Sequence, residues 1–245
     1  MKTLALELST ARGSIAWLDE VAEPSKAGQL LGAKRVDPVM CEWPNDRKNS
    51  GAFFEHLASI RQKFGLPDTI IVGLGPGSYA GTRIAISTAI GLQASGASGG
   101  TSSVPSARSA GRQRGRPPTS SRIRLIGYPS ICAMECEADE YGVIGDARRK
   151  SFFFARVRAN DLIEGPDLFD ETELKNKLDK LEGTLATFTS ESLPQFERAE
   201  IGYPSASLLA RLALNTRRSF SFAPLEPIYL REPHITIPRT AATAS

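Results

Sequence analysis

The stretch Thr69–Leu92, TIIVGLGPGSYAGTRIAISTAIGL, decides how this chain is organised. It opens with the apolar β-branched run Ile70-Ile71-Val72, which is typical of a buried strand. A segment rich in glycine and proline, 73–77, then breaks the strand. Ser78 is placed as the N-cap of a following helix, because its hydroxyl can accept hydrogen bonds from the first helical turn. The stretch therefore predicts a strand, a tight turn and a helix.

Two interpretations of the turn are open. Gly75 and Gly77 allow positive φ angles or a close approach of backbone. A glycine-rich turn that leads into a helix N-terminus presents free N–H groups, which suit a phosphate or carboxylate, and Arg83 would assist. The alternative is a tight turn without a ligand. Neither the GxGxxG spacing nor the Gly-Lys-Ser/Thr of a Walker A motif is present.

The predicted helix is built almost entirely from small residues, with isoleucine and leucine between them. Small side chains let the backbone of another helix come close. The helix therefore packs either against its own sheet only or also against a partner chain. Its small residues include Ala85, Ser87, Thr88, Ala89 and Gly91.

Four segments in sequence order resemble one known family. GLGPGSYAGTRIAISTAIGL (73–92) resembles the GxGPGSFTGLRIGxxxAxGL signature of the TsaB (YeaZ) family, bacterial subunits of the machinery that makes threonylcarbamoyl-adenosine in tRNA. The other three segments are LALELSTARGSIAWL (4–18), GVIGDARRKSFFFARV (142–157) and PLEPIYLRE (224–232). Together they span most of the chain outside residues 93–125.

The resemblance implies an α/β fold with two ribonuclease-H-like subdomains of the actin-like ATPase superfamily, each a mixed sheet flanked by helices. The subdomains would cover residues 1–92 and 126–237. Residues 93–125 would form a Ser/Gly/Arg/Pro-rich flexible insertion, and 238–245 a frayed tail.

The resemblance also implies a function. A TsaB-like chain is a non-catalytic partner that dimerises with and activates the catalytic TsaD subunit, which modifies the adenosine next to the tRNA anticodon. A TsaE-like ATPase docks on the pair, tRNA is reached through the complex, and a homodimer is expected when TsaD is absent. ATP would belong to the complex, and no cofactor is assigned to this chain. The implied interface residues are Phe53, Phe54, Leu57, Arg83, Ala85, Ser87, Thr88 and Ala89.

The first hairpin carries a second candidate site. Residues 3–10 alternate as a half-buried strand, and 14–18 return as its partner. An acid and two hydroxyls by the turn are similar to the first phosphate hairpin of actin-like ATPases, although Glu7 stands where aspartate is usual. A surface glutamate on a sheet is the alternative. The candidate anion or nucleotide residues are Glu7, Ser9, Thr10, Gly75, Gly77 and Ser78.

Used as an active site, these residues would make the chain an autonomous small-molecule kinase or ATPase, which is the main alternative function. The residues predict no catalytic group of another kind. The two histidines, His56 and His234, are far apart in sequence, and no HExxH occurs. No metal site is predicted, and Cys41, Cys132 and Cys136 are expected to be reduced structural thiols.

Composition places the chain among soluble globular proteins, with 41% hydrophobic and 23% charged residues in 245. No apolar run approaches the ~20 residues that cross a bilayer. Glu7 interrupts the N-terminal apolar run, so no signal peptide is expected. We predict a cytoplasmic protein that does not contact membranes.

The net charge of +3 comes from one segment. Residues 94–125 hold six arginines and no acid or lysine, so the remainder carries −3. The segment is interpreted as a flexible insertion, as an arginine-rich arm drawn to tRNA phosphates, or as an out-of-frame translation of GC-rich DNA. No aromatic residue is interleaved for base stacking.

The second half repeats the first hairpin, with strands at 141–147 and 151–158 around the turn 148–150. Asp146 falls where the second copy places its acid, and we expect it to cap or salt-bridge that turn. The other predicted elements are a strand at 28–40 with a polar link at 41–48, helices beginning at Ser50 and near 128–130, helices at 171–181 and 206–214, a strand at 185–188 and an extended segment at 224–231.

Overall fold

The structure is a computed structural model that describes residues 1–20, 37–45, 51–97, 123–181 and 183–231. These residues form eleven strands, four α-helices and one 3₁₀ turn. In chain order they are β1 (Lys2–Glu7), β2 (Arg12–Asp19), β3 (Val39–Pro44), α1 (Gly51–Phe64), β4 (Thr69–Gly73), α2 (Tyr79–Ala97), β5 (Arg124–Tyr128), the 3₁₀ turn Ser130–Ala133, β6 (Glu140–Asp146), β7 (Ser151–Arg158), β8 (Asp161–Asp170), α3 (Glu171–Lys180), β9 (Ala186–Thr189), β10 (Glu200–Ile201), α4 (Ala206–Leu212) and β11 (Ser221–Phe222).

The first sheet has the strand order β11-β5-β4-β1-β2-β3. β1, β2 and β3 form an antiparallel meander, whereas β4 and β5 join β1 as parallel strands. β4 lies inside the sheet with all five residues buried, as its continuous β-branched sequence predicts. The short strand β11 pairs antiparallel with β5 at the edge.

The second sheet repeats the topology of the first. Its order is β10-β9-β6-β7-β8, so that β6 to β10 occupy the places that β1 to β5 occupy in the first sheet. The pairing directions also agree, with an antiparallel meander β6-β7-β8 and parallel strands β9 and β10. α3 stands between β8 and β9 as α1 stands between β3 and β4, but β9 and β10 are joined without a counterpart of α2. The predicted α/β architecture of two mixed sheets flanked by helices is confirmed.

Three clusters of buried side chains form the core. α1 and α2 cover one face of the first sheet, where Phe53 and Ile86 meet Leu6 and Val72. α4 packs on the opposite face of that sheet, and the same cluster continues into the second sheet. α3 covers the outer face of the second sheet. Because the central cluster takes residues from both sheets, the two halves share one apolar interior.

Several element boundaries differ from the prediction. Residues 41–44 belong to β3 rather than to a polar link, because Trp43 is buried against α1. The predicted subdomain boundary between residues 125 and 126 falls inside β5, whose apolar residues extend the first sheet. Residues 124–128 are strand and 130–133 a 3₁₀ turn, so no α-helix begins there. Strand β8 was not predicted.

Parts of the predicted insertion are ordered elements. Residues 93–97 complete α2, and Ile123 packs into the core beneath that helix. Residues 98–122, the proposed cap Ser50 and the tail 238–245 lie outside the described residues. Where the structure describes the chain, no helix is long and apolar enough to cross a membrane.

Candidate functional site

A cleft of about 580 Å³ opens between the two repeats. Its walls are the β1–β2 turn, the loop between β4 and α2, the β6–β7 turn and the segment 227–231. Because β1 and β6 are equivalent strands, the two hairpin turns face the cleft from equivalent places. The loop 74–78 between β4 and α2, here called the glycine loop, brings the sequence-predicted candidates to this cleft.

Glycines at 73, 77 and 81 allow the segment around the glycine loop to contact the first hairpin directly. A Cβ at Gly77 would lie 2.1 Å from the Ser9 carbonyl oxygen. A Cβ at Gly81 would lie 2.0 Å from the carbonyl oxygen of Leu8. Both obstacles are backbone atoms, which cannot rotate away. Gly77 and Gly81 are therefore required by the contact between two pieces of backbone.

Amides of the glycine loop donate to the protein itself. The Ser78 amide donates to the Ser9 carbonyl at 2.5 Å. The Gly75 amide donates to the Ser130 hydroxyl at 2.9 Å, and the Ser130 amide donates back to the Gly75 carbonyl at 2.8 Å. These three N–H groups are thus not available to an external phosphate.

The acids at the ends of β1 and β6 satisfy amides of their own turns. The Ser9 amide donates to Oε1 of Glu7 at 2.7 Å. In the second repeat, the Arg148 amide donates to Oδ1 of Asp146 at 2.6 Å, and the Arg148 guanidinium pairs with the other oxygen at 3.0 Å. Asp146 therefore both caps and salt-bridges its turn, as predicted. In each repeat an internal carboxylate accepts from the amide two residues further along.

Glu7 is fully buried, which excludes the alternative of a surface glutamate. Gly73 makes room for it, since a Cβ at that position would lie 1.8 Å from Oε2. Burial raises the pKa of the Glu7 carboxyl above its ordinary value, and the hydrogen bond from Ser9 offsets this only in part. Within the described residues, Oε2 of Glu7 and Oγ of Ser9 are buried without a hydrogen-bond partner.

The six predicted anion-site residues lie together. Ser9, Thr10, Gly77 and Ser78 line the cleft. Glu7 lies beneath them, and Gly75 has a positive φ of 88° in the loop. The Ser78 hydroxyl accepts from the Gly81 amide at 3.2 Å, which is its predicted capping role.

Asn45 also holds the β1–β2 turn, a role that the sequence did not indicate. Asn45, at the end of β3, donates from Nδ2 to the carbonyls of Leu8 and Thr10 at 3.2 and 2.8 Å. Its own amide donates to the Ala11 carbonyl. An isolated asparagine in a polar stretch carries no pattern that reveals this role.

The predicted interface residues divide into two groups. Phe53, Leu57, Ala85 and Ala89 are buried in the core beneath α1 and α2. Phe54 is 49% exposed, and Arg83, Ser87 and Thr88 also reach the surface. Arg83 lies over the ring of Tyr79 and donates to its hydroxyl at 2.7 Å. Only the second group is available to another molecule.

The single described histidine has a packing role. His56 on α1 stacks on Trp43 with ring centroids 5.0 Å apart. Across the described ranges, no group of three or more His, Cys, Asp or Glu residues is placed to hold a metal ion. Cys41, Cys132 and Cys136 are free thiols, and burial raises the pKa of Cys132 to about 12.

Solved structures of YeaZ-type proteins share this fold. A protein of Pseudomonas aeruginosa, described as an uncharacterized protein with similarity to peptidase YeaZ, superposes with a TM-score of 0.64 at 17% identity, over 94% of this chain and 99% of the other. YeaZ from Pseudomonas aeruginosa superposes with a TM-score of 0.60 at 17% identity over the same shares of the two chains. No protein-family model matches the sequence, and no curated protein matches it significantly.

The backbone contact of the glycine loop makes a stability prediction. Gly77→Ala should destabilise the fold by about 3 kcal/mol or more, because its Cβ meets the Ser9 carbonyl. The matched control is Gly91→Ala, where a Cβ meets nothing within 4 Å and the helix gains up to about 1 kcal/mol. Urea unfolding of both variants measures the difference. Equal stabilities would show that the close contact is not formed.

The burial of Glu7 makes a pH prediction. Because its pKa is raised in the folded state, the folded protein binds the proton more tightly than the unfolded chain does. The free energy of unfolding should therefore fall as the pH rises above the ordinary glutamate range. Glu7→Gln keeps the shape and should remove this component of the slope. Urea unfolding of both proteins between about pH 4 and 8, which spans that window, tests this prediction. Parallel curves of unfolding free energy against pH for the two proteins would refute it.

Proposed function

We propose that this chain is a non-catalytic subunit that pairs with, and activates, a TsaD-like catalytic subunit in threonylcarbamoylation of the adenosine next to the tRNA anticodon. The shared YeaZ fold supports the proposal at the level of architecture. The four family-like segments in the sequence supply the link to the tRNA machinery.

One observation carries the proposal, namely the exposed face of α1 and α2. Both helices bury one side in the same cluster of the first sheet, and their outer sides bear Phe54 and Ile90, which are 49% and 46% exposed. Between them α2 exposes small residues at Ser87 and Gly91. A Cβ at Gly91 meets nothing within 4 Å, so a second helix has room to approach. Aromatic anchors beside small residues suit close helix packing.

The cleft supports a non-catalytic role. In actin-like kinases the hairpin turns would have to offer their amides to the phosphates of a nucleotide. Here the Ser9 and Arg148 amides already donate to Glu7 and Asp146, and the Ser78 amide donates to Ser9. An autonomous kinase would need these bonds to break. This cost favours the partner function over the kinase alternative.

In the proposed assembly ATP is used by a TsaE-like ATPase docked on the pair, and tRNA is modified at the TsaD-like subunit. The chain acts in the cytoplasm, where tRNA is processed. Without the catalytic subunit, the same face of α1 and α2 is expected to pair two copies of this chain. The catalytic subunit then competes with the second copy for that face.

Substitutions on the exposed face test the proposal. Phe54→Ala should weaken binding to a co-expressed TsaD-like subunit by at least about ten-fold, as expected for an aromatic anchor. Gly91→Arg should block close approach of the partner helix while leaving the free chain folded. The measurements are co-purification and titration calorimetry, with circular dichroism to verify folding.

The matched control is Ile163→Ala, which removes a similarly exposed side chain from β8 in the other repeat. It should bind the partner as the natural chain does. The proposal is contradicted if all three variants bind equally well, or if the natural chain does not co-purify with the TsaD-like subunit at all.

A further inference from the structure

An exposed aromatic and arginine surface lies at the edge of the first sheet, away from the face of α1 and α2. Phe222 on β11 is 60% exposed, the most exposed large hydrophobic side chain described. The Arg124 guanidinium carbon lies 5.7 Å from the centroid of its ring and 5.9 Å from that of Phe220. Phe220 is buried against Tyr128, with ring centroids 5.4 Å apart. The surface thus combines a buried ring, Phe220, with an exposed ring, Phe222.

A pocket of about 520 Å³ adjoins this surface. Tyr128 and Ser219 line it, so it begins directly beside Phe220. Its inner wall is a fixed network in which Arg218 pairs with Asp161 at 2.5 Å and donates to the Tyr128 hydroxyl at 3.2 Å. Buried Nε of Arg218 has no hydrogen-bond partner in the part of the chain that is described. Polar and apolar side chains both line the pocket, which is large enough for a group of the size of a nucleotide.

The charge of the surface is positive. Among the described residues, no carboxylate pairs with the side chains of Arg124 or Arg217, whereas Arg218 is neutralised by Asp161. Outside residues 94–125 the chain carries a formal charge of −3, so these two arginines set the edge apart in sign from the chain as a whole.

We propose that Phe222, Arg124 and the adjoining pocket form a contact surface for single-stranded RNA. A base stacks on the exposed ring of Phe222, and Arg124 and Arg217 neutralise neighbouring phosphates. Stacking on an aromatic ring beside arginine is the usual physical basis of sequence-tolerant single-strand binding. The positive charge of the two arginines favours RNA as the occupant. A protein strand is disfavoured because the edge strand β11 offers only two residues for pairing.

This surface gives the chain an RNA contact of its own. It rests on the proposed function only for the identification of the RNA as tRNA. Because it lies on β11 and β5, it is separate from the α1 and α2 face and would stay open while a catalytic subunit is bound there.

The test measures RNA binding by the full-length chain in the absence of other subunits. The probe is a fluorescein-labelled polyuridylate of about 12 nucleotides, within the range that single-strand sites cover, with unfractionated tRNA as competitor. Phe222→Ala should weaken binding by roughly five- to hundred-fold, whereas Phe222→Trp should restore it. Arg124→Gln should weaken binding and lower the salt slope by about 0.7, the value for one phosphate of a single strand.

The matched control is Ile201→Ala, which removes another exposed side chain from an edge strand, β10. It should bind the probe with unchanged affinity. Equal binding by the Phe222 and Arg124 variants, or no binding by the natural chain at about 50 mM salt, would overturn the inference. So would a Phe222→Ala variant that lost a protein partner while binding RNA normally. Co-purification with the TsaD-like subunit, measured separately, should be unaffected by Phe222→Ala, so the two proposals fail independently.

Discussion

The contact that the glycine loop and the first turn of α2 make with the first hairpin is the constraint on which the rest of the structure depends. Backbone meets backbone at Gly77 with Ser9 and at Gly81 with Leu8, and any side chain there would separate the segments. This contact fixes where α2 begins and seats its apolar side on the first sheet. The other side of α2 is left as a surface of small residues. The same close approach thus accounts for both the core and the proposed partner face.

Repetition of one topology explains the cleft. Each repeat ends its first strand with an acid at the opening between the sheets, and each acid accepts from an amide of its own turn. The turn amides that could bind phosphates in an enzyme here donate to carboxylates of the chain itself. The proposed function accordingly assigns the chain's action to its surfaces. Two of them, the face of α1 and α2 and the edge at Phe222, are the surfaces that we propose for two different partners.

Much of the fold could be predicted because its local signals agree. The strand–turn–helix at 69–92 and the repeated hairpin at 140–158 were placed correctly, since β-branched runs, turn residues and helical spacing coincide there. β8 was missed because its sequence alternates weakly and includes Gly165 and Pro166. The burial of Glu7 and of the inner residues of α1 and α2 depends on distant packing. A helical pattern shows that a residue faces apolar surroundings, but not whether these are its own core or a partner.

The most direct measurement of the central claim is amide hydrogen exchange of the isolated chain, followed by NMR with and without magnesium and ATP. The amides of Ser9, Gly75 and Ser78 should exchange slowly in the free protein, because each donates to an internal acceptor. Their exchange rates and chemical shifts should not change when the nucleotide is added. Fast exchange in the free chain, with protection appearing only on addition of ATP, would show that these amides are a vacant phosphate site and would contradict the account.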